Sequence, residues 1–129
     1  MQVPETLRYS EEHEWVLIAD GVATIGITDH AQEELGDIVF VELPALGAVL
    51  TKTATLGVVE SVKAVSDVYA PIGGTVATVN ERLTSNPEII NEDPYGEGWM
   101  VKVTVTDTAE VDGLMTAAQY REFVAQEKA

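Results

Sequence analysis

Cysteine is absent from the 129 residues. That rules out a disulfide framework, a thiol nucleophile and a cysteine-ligated metal, so any redox-active sulfur must arrive on a prosthetic group. Basic residues are scarce: seven Lys and Arg stand against 22 Asp and Glu, for a formal net charge of −15. Nucleic acids and anionic membranes require clustered cations, so neither is expected as a partner. An acidic surface instead favours solubility and encounter with basic patches on other proteins. Aromatic residues make up only 6% of a chain that is 46% hydrophobic, which suits a Val/Ala/Ile-rich β protein better than an aromatic-stacking binder. No apolar run approaches the length of a bilayer span. Met1-Gln2-Val3-Pro4-Glu5 has neither signal-peptide nor transit-peptide character. Together these features predict one domain over residues 1–129, in the cytoplasm, or in the mitochondrial matrix if the chain is a processed eukaryotic one.

Short β-prone runs separated by turns dominate what is present. Residues 15–18 and 22–27 flank an Asp20-Gly21 pair, a strong hairpin signal. Asp29 is expected to cap a short helix through Leu35, with Gln32 in the reciprocal capping position and Gly36 at its end. Residues 37–43 form a strand dense in β-branched side chains. A later stretch alternates, with Trp99, Val101, Val103 and Val105 on one face and Met100, Lys102, Thr104 and Thr106 on the other. Toward the C-terminus a helical segment is expected over about residues 108–127. There Thr116 and Gln119 form a capping box, while Ala117, Tyr120, Phe123 and Val124 share one face that packs on the sheets.

A faint internal echo accompanies this pattern. A shift of 27 residues pairs Val41 with Val68, Pro44 with Pro71, Gly47 with Gly74, Val49 with Val76 and Thr51 with Thr78. Each copy reads strand, Pro-containing turn, Gly, strand, and Gly47 and Gly74 then occupy equivalent turns in which φ > 0 is allowed. Chance matches in a Val-rich chain compete with a true repeat.

Lys63 is one of four lysines. It lies in Glu60-Ser61-Val62-Lys63-Ala64-Val65-Ser66-Asp67-Val68-Tyr69-Ala70-Pro71, with apolar runs on both sides and no loop filler. Two strands meeting at a tight turn, with Lys63 near the tip and open on all sides, are therefore predicted. A lysine so placed suits covalent modification, although charged turn residues are also common as plain solvated groups. Ser61 and Ser66 have no neighbouring His to activate them. His13 and His30 lack His-x-x-x-His spacing, so no metal site is expected, and His30, inside the short capped helix, is assigned a packing or surface role. No nucleophile–base set and no phosphate-binding loop is present, and the chain is expected to have no turnover of its own.

The segment around Lys63 resembles the lipoyl-lysine segment of the glycine cleavage system H proteins. Other segments resemble that family as well: Tyr9-Ser10-Glu11-Glu12-His13-Glu14-Trp15, Gly26-Ile27-Thr28-Asp29-His30-Ala31-Gln32, Leu35-Gly36-Asp37-Ile38-Val39-Phe40-Val41-Glu42-Leu43-Pro44, Asn91-Glu92-Asp93-Pro94-Tyr95 and Gly98-Trp99-Met100. They run in one order over about residues 7–124. The resemblance implies a mainly β fold with short helices: a flattened β-sandwich of the lipoyl/biotinyl-carrier type (barrel-sandwich hybrid) with an added N-terminal hairpin and C-terminal helix. It also implies a monomeric carrier with lipoic acid in amide linkage to Lys63.

The partners implied are glycine decarboxylase, which would load an aminomethyl group on the lipoyl sulfur, aminomethyltransferase, which would remove it, and dihydrolipoamide dehydrogenase, which would reoxidise the dithiol. Lipoate-attaching enzymes would recognise Glu60. Glu14 and Asp67 match positions that hold the amine of the loaded arm, with Glu12 a third acid nearby; each could equally be a solvated acid. Biotin carriers place methionines beside the lysine, where Val62 and Ala64 stand here. Lipoyl domains of 2-oxoacid dehydrogenases lack the His-Glu-Trp and Gly-Trp-Met segments. A lipoyl relay or regulatory protein outside glycine turnover remains compatible with the same residues.

Overall fold

A computed structural model describes residues 1–128. Its chain order is β1 (Arg8–Tyr9), β2 (Glu14–Ala19), β3 (Val22–Ile27), α1 (Asp29–Leu35), β4 (Ile38–Glu42), β5 (Val49–Leu50), β6 (Thr55–Ser61), β7 (Val65–Tyr69), β8 (Gly74–Val79), α2 (Arg82–Ser85), α3 (Ile89–Glu92), β9 (Val101–Val105), a 3-10 turn (Thr108–Gly113) and α4 (Ala117–Lys128). Two sheets carry the fold, a six-stranded one ordered β1-β2-β3-β9-β8-β5 and a three-stranded one ordered β4-β6-β7. All registered pairs are antiparallel. This is the mainly β, lipoyl-carrier-like sandwich that the resemblance implied.

Local chemistry accounts for the joints. Asp20 and Gly21 both have positive φ, as a two-residue type I′ turn needs to match strand twist, and Ala19 pairs directly with Val22. The cap of α1 is Thr28 rather than Asp29. Thr28 has extended backbone angles and its hydroxyl accepts from Ala31 N–H, whereas Asp29 is the first helical residue and accepts from Gln32 Nε2 at 2.8 Å. The helix closes at Gly36, whose N–H donates to Gln32 O at 3.0 Å. The capping box of α4 forms as read, with Thr116 N–H donating to Gln119 Oε1 and Gln119 N–H to Thr116 Oγ1. Its helical run is not continuous from residue 108, however. The 3-10 turn ends at Gly113, and Met115 bridges to Tyr9 before α4 begins.

The 27-residue echo has a spatial counterpart. Val41 and Val68 lie on β4 and β7, the two strands flanking β6, and each chain segment then crosses past a proline to the other sheet. There β5 and β8 pair, joined further by Gly47 N–H to Val76 O and Val76 N–H to Ala48 O. Gly47 has φ +81°, but Gly74 does not share that conformation. A Cβ on Gly74 would stand 2.4 Å from Thr104 O, so glycine is needed there to let β9 approach. The expected equivalence of the two glycines is thus corrected.

Two packed clusters fill the interior. One lies between the sheets and is aliphatic, with Val16, Ile25, Val41, Val59, Val68, Ile72, Val76, Met100, Val101 and Val103 among its members. Met100 belongs to it, against the alternation that set it on the polar face. It precedes β9, where its N–H donates to Ile25 O. Lys102 instead lays its ammonium 4.9 Å from the Trp99 ring centre, covering the indole with a cation–π contact. The second cluster sits under α4: Val3, Leu7, Tyr9, Trp15, Ala117, Tyr120 and Val124, flanked by Tyr95, Trp99, Met115 and Phe123.

Candidate functional site

Lys63 lies at the tip of the β6–β7 hairpin, in the loop of residues 62–64. Ser61 organises that loop. Its hydroxyl oxygen accepts from Lys63 N–H at 3.2 Å and Ala64 N–H at 3.0 Å, and its own N–H donates to Ala64 O at 2.7 Å. Val62 N–H donates to Asp37 O at 3.1 Å. All three loop N–H groups are therefore held by protein acceptors, which fixes the backbone beneath the lysine. Sequence reading weighed Ser61 as a nucleophile lacking a base; its role is that of a serine turn, and a serine directly before a short loop is the signal that could have shown it.

The Lys63 side chain is exposed and, among the described residues, makes no ion pair. It is not open on all sides: a Cβ on Gly36 would stand 3.7 Å from Lys63 Cε, so the stem passes the turn between α1 and β4. Asn91 braces that turn from α3. It donates through Nδ2 to Gly36 O and Gln32 Oε1, and accepts from Ile38 N–H through Oδ1. Nothing local in the sequence announces this contact across more than 50 residues.

Glu60 pairs across the sheet with Phe40 on one side and Val65 on the other. Phe40 and Val65 are 49% and 65% exposed, and Val62 at the tip is 72% exposed. A bulge between Ile38 and Phe40 turns Val39 outward as well. The outer face beside Lys63 is therefore a carboxylate set among apolar groups.

Glu14, only 2% exposed, comes from the start of β2. Its Oε1 accepts from the Ser10 hydroxyl at 2.5 Å and its Oε2 from Tyr69 N–H at 3.0 Å. Burial pushes its carboxyl up to about 7, while those two hydrogen bonds pull the other way and Glu12 adds to the rise. It lines a cavity of about 300 Å³ with Ser10, Glu12, Lys52 and Tyr69. Asp67 is exposed on β7, two residues before Tyr69 and so on the same strand face. Glu14 is therefore tied to the Lys63 hairpin through the Tyr69 backbone.

The two histidines, 17 positions apart, are brought side by side with ring centres 4.7 Å apart. His13 Nδ1 lies 2.8 Å from the Tyr120 hydroxyl, which lies 2.7 Å from Thr28 Oγ1. Burial lowers the His13 pKa, opposed by the Glu127 carboxylate at 3.2 Å and reinforced by His30.

A two-sheet sandwich of the lipoyl-carrier type, with Lys63 unpaired among the described residues on a braced hairpin tip, has the architecture of a carrier module. Comparison with known proteins gives the family. The glycine cleavage H-protein family matches residues 7–127. The chain is 57% identical over 127 residues to the glycine cleavage system H protein of Halorhodospira halophila, covering 98% of both chains. It is 58% identical over 120 residues to a probable glycine cleavage system H protein of Haloarcula marismortui, covering 93% of this chain and 94% of that one. A crystal structure of the Mycobacterium marinum glycine cleavage system H protein superposes with a TM-score of 0.86 at 39% identity, covering 98% of this chain and all of that one. The chain belongs to the glycine cleavage H-protein family, and its role is that of the lipoyl carrier in glycine cleavage. No helix among the described residues is long and apolar enough to cross a membrane.

Proposed function

We propose that Lys63 is the lipoyl attachment point and that residues 1–129 act as one carrier domain without turnover of its own. The observation that carries this is the exposed Lys63 amine, free of any ion pair among the described residues, on a tip whose backbone is held by Ser61. These residues fit an amide-linked arm. The amine can be acylated without breaking a salt bridge, and apolar Val62 and Val65 beside it tolerate the loss of its charge. When bound, a lipoyl group supplies a dithiolane able to take up an aminomethyl unit and two electrons.

The residues of the chain have distinct tasks in this scheme. Ser61 and Asn91 keep the base of the arm rigid. Glu60, between Phe40 and Val65, gives a lipoate-attaching enzyme a charge set in an apolar frame. Glu14 and Asp67 receive the primary amine of a loaded arm; a carboxylate within hydrogen-bond reach of an ammonium favours it and slows its loss to water. Glu14 already spends one acceptor site of each oxygen on Ser10 and Tyr69, and a carboxylate offers about four in all. The partners are then glycine decarboxylase, aminomethyltransferase, dihydrolipoamide dehydrogenase and the lipoate-attaching enzymes, met by a monomer in the cytoplasm or, in a eukaryote, in the mitochondrial matrix.

Intact mass after incubation with a lipoate–protein ligase, ATP and lipoic acid tests the proposal, beside Lys63→Arg and a parallel biotinylation. One lipoyl addition that disappears in the variant is expected. No addition, or addition of biotin, would remove Lys63 from this role.

A further inference from the structure

His13, His30 and Glu127 each bring one potential metal-ligating atom within 4.8 Å of the other two. They come from three separate pieces of the fold, the turn before β2, α1 and the end of α4. We propose that they form a site for a divalent transition metal of the zinc class, with one coordination position open to solvent.

Donor chemistry and placement both point this way. Two imidazoles and a carboxylate are a common donor set for zinc with an open fourth position. Around a shared zinc, ligand atoms stand about 3.3 Å apart when each is about 2.0–2.1 Å from the ion. The His13 Nε2 to Glu127 Oε2 separation of 3.2 Å already has that value, and the His30 ring nitrogen, within 4.8 Å of both, has to close on them.

The surroundings of His13 resemble those of a ligating imidazole. Metal-bound histidines usually hand their second ring N–H to a fixed acceptor, which orients the ring. With the proton on Nδ1, His13 donates to the Tyr120 oxygen, and the Tyr120 hydroxyl donates to the buried Thr28 Oγ1. That tautomer leaves the Nε2 lone pair beside the Glu127 carboxylate, where an ion could be shared between them in place of the Nε2 proton of the other tautomer. The open side of the cluster faces a cavity of about 350 Å³ that also contains Leu35 and Ser66.

Such an ion would bind only the folded chain, because its three donors are far apart in sequence, and so would stabilise it. The test uses the full-length chain with Lys63 unmodified, so that its outcome is independent of lipoylation and no arm thiol competes. Cobalt(II) added to the metal-free chain is expected to bind at one ion per chain with the visible bands of a four-coordinate site. Zinc(II) should displace it and raise Tm. Glu127→Gln, at an exposed position on α4, should weaken zinc binding at least tenfold and abolish the Tm rise, and His13→Gln should do the same. Glu122→Gln, an exposed acid on the same helix, controls for general attraction to an acidic surface and should leave affinity unchanged. No saturable binding, or zinc affinity that survives Glu127→Gln, overturns the proposal. His13 would then be a neutral imidazole bridging Tyr120 and Glu127 in its other tautomer.

Discussion

The two packed clusters are built on different principles. Between the sheets the core is aliphatic throughout, most of its members set by strand alternation and others, such as Leu83 on α2, Ile90 on α3 and Met100 before β9, brought in by helices and loops. Under α4 lie six of the eight aromatic residues of the chain, and there the rings are tied by polar atoms. Trp15 Nε1 donates to Pro94 O, the Tyr9 hydroxyl donates to Pro4 O, and Tyr120 joins His13 to Thr28. The sandwich rests on burial, which is non-directional. The aromatic cluster rests on burial plus a fixed set of hydrogen bonds, so it specifies where its members stand. That difference explains why ionisable groups with shifted equilibria, Glu14, His13 and the raised tyrosines 9, 95 and 120, all collect on its side of the molecule.

Breaking each side in turn sharpens the contrast. Ile25→Ala removes a fully buried aliphatic side chain and should cost about 2–5 kcal/mol. Urea melts at pH 5 and pH 8 should give the same loss, because no ionisable group is involved.

Glu14→Gln should behave oppositely. The folded carboxyl titrates near 7, against 4.5 for the free group. Between those values the folded state holds more protons than the unfolded one, so stability present below pH 4.5 is lost as pH rises through 7. Glutamine keeps an oxygen to accept from Tyr69 N–H, turns an NH2 toward the Ser10 oxygen in place of the accepting oxygen there, and cannot ionise. From pH 4 to pH 8 the variant should gain on the parent by up to on the order of 3 kcal/mol, read from paired melts. Parallel curves would show that Glu14 ionises normally.

Tyr120→Phe keeps the stacked ring, 4.6 Å from Tyr9, and deletes the hydroxyl between His13 and Thr28. A loss of about 1–3 kcal/mol is expected for the partners left unmatched, together with an altered His13 titration by NMR. Thr116→Ala, at the cap of α4, should cost about 1 kcal/mol and act on the aromatic side only, visible as faster amide exchange in α4.

The same contrast governs what could be read in advance. Asp20-Gly21, the α4 capping box and the alternation of Val101 and Val103 are local signals, and each forms as read. The presence of Lys63 on a hairpin was legible for the same reason. The misplaced features are those decided by contact at a distance. Thr28 caps α1, where its hydroxyl also meets Tyr120, and Gly74 is set by the approach of β9. Helices α2 and α3 are four residues each, too short for a helical period to register. The tilted contact of His13 with His30 and the bracing by Asn91 join residues far apart in the chain, where no spacing pattern reaches.

The hydroxyl of Ser61 has one more consequence. A loop that must order itself on each encounter charges its conformational entropy to every partner that docks. With residues 62–64 already tied at each N–H, that cost is met once, during folding. Freedom is then confined to the bonds beyond the Lys63 Cα, so anything tethered there sweeps a volume centred on a fixed point. Its effective concentration at a docked catalytic centre is then set by the length and stiffness of the tether against the distance to be spanned.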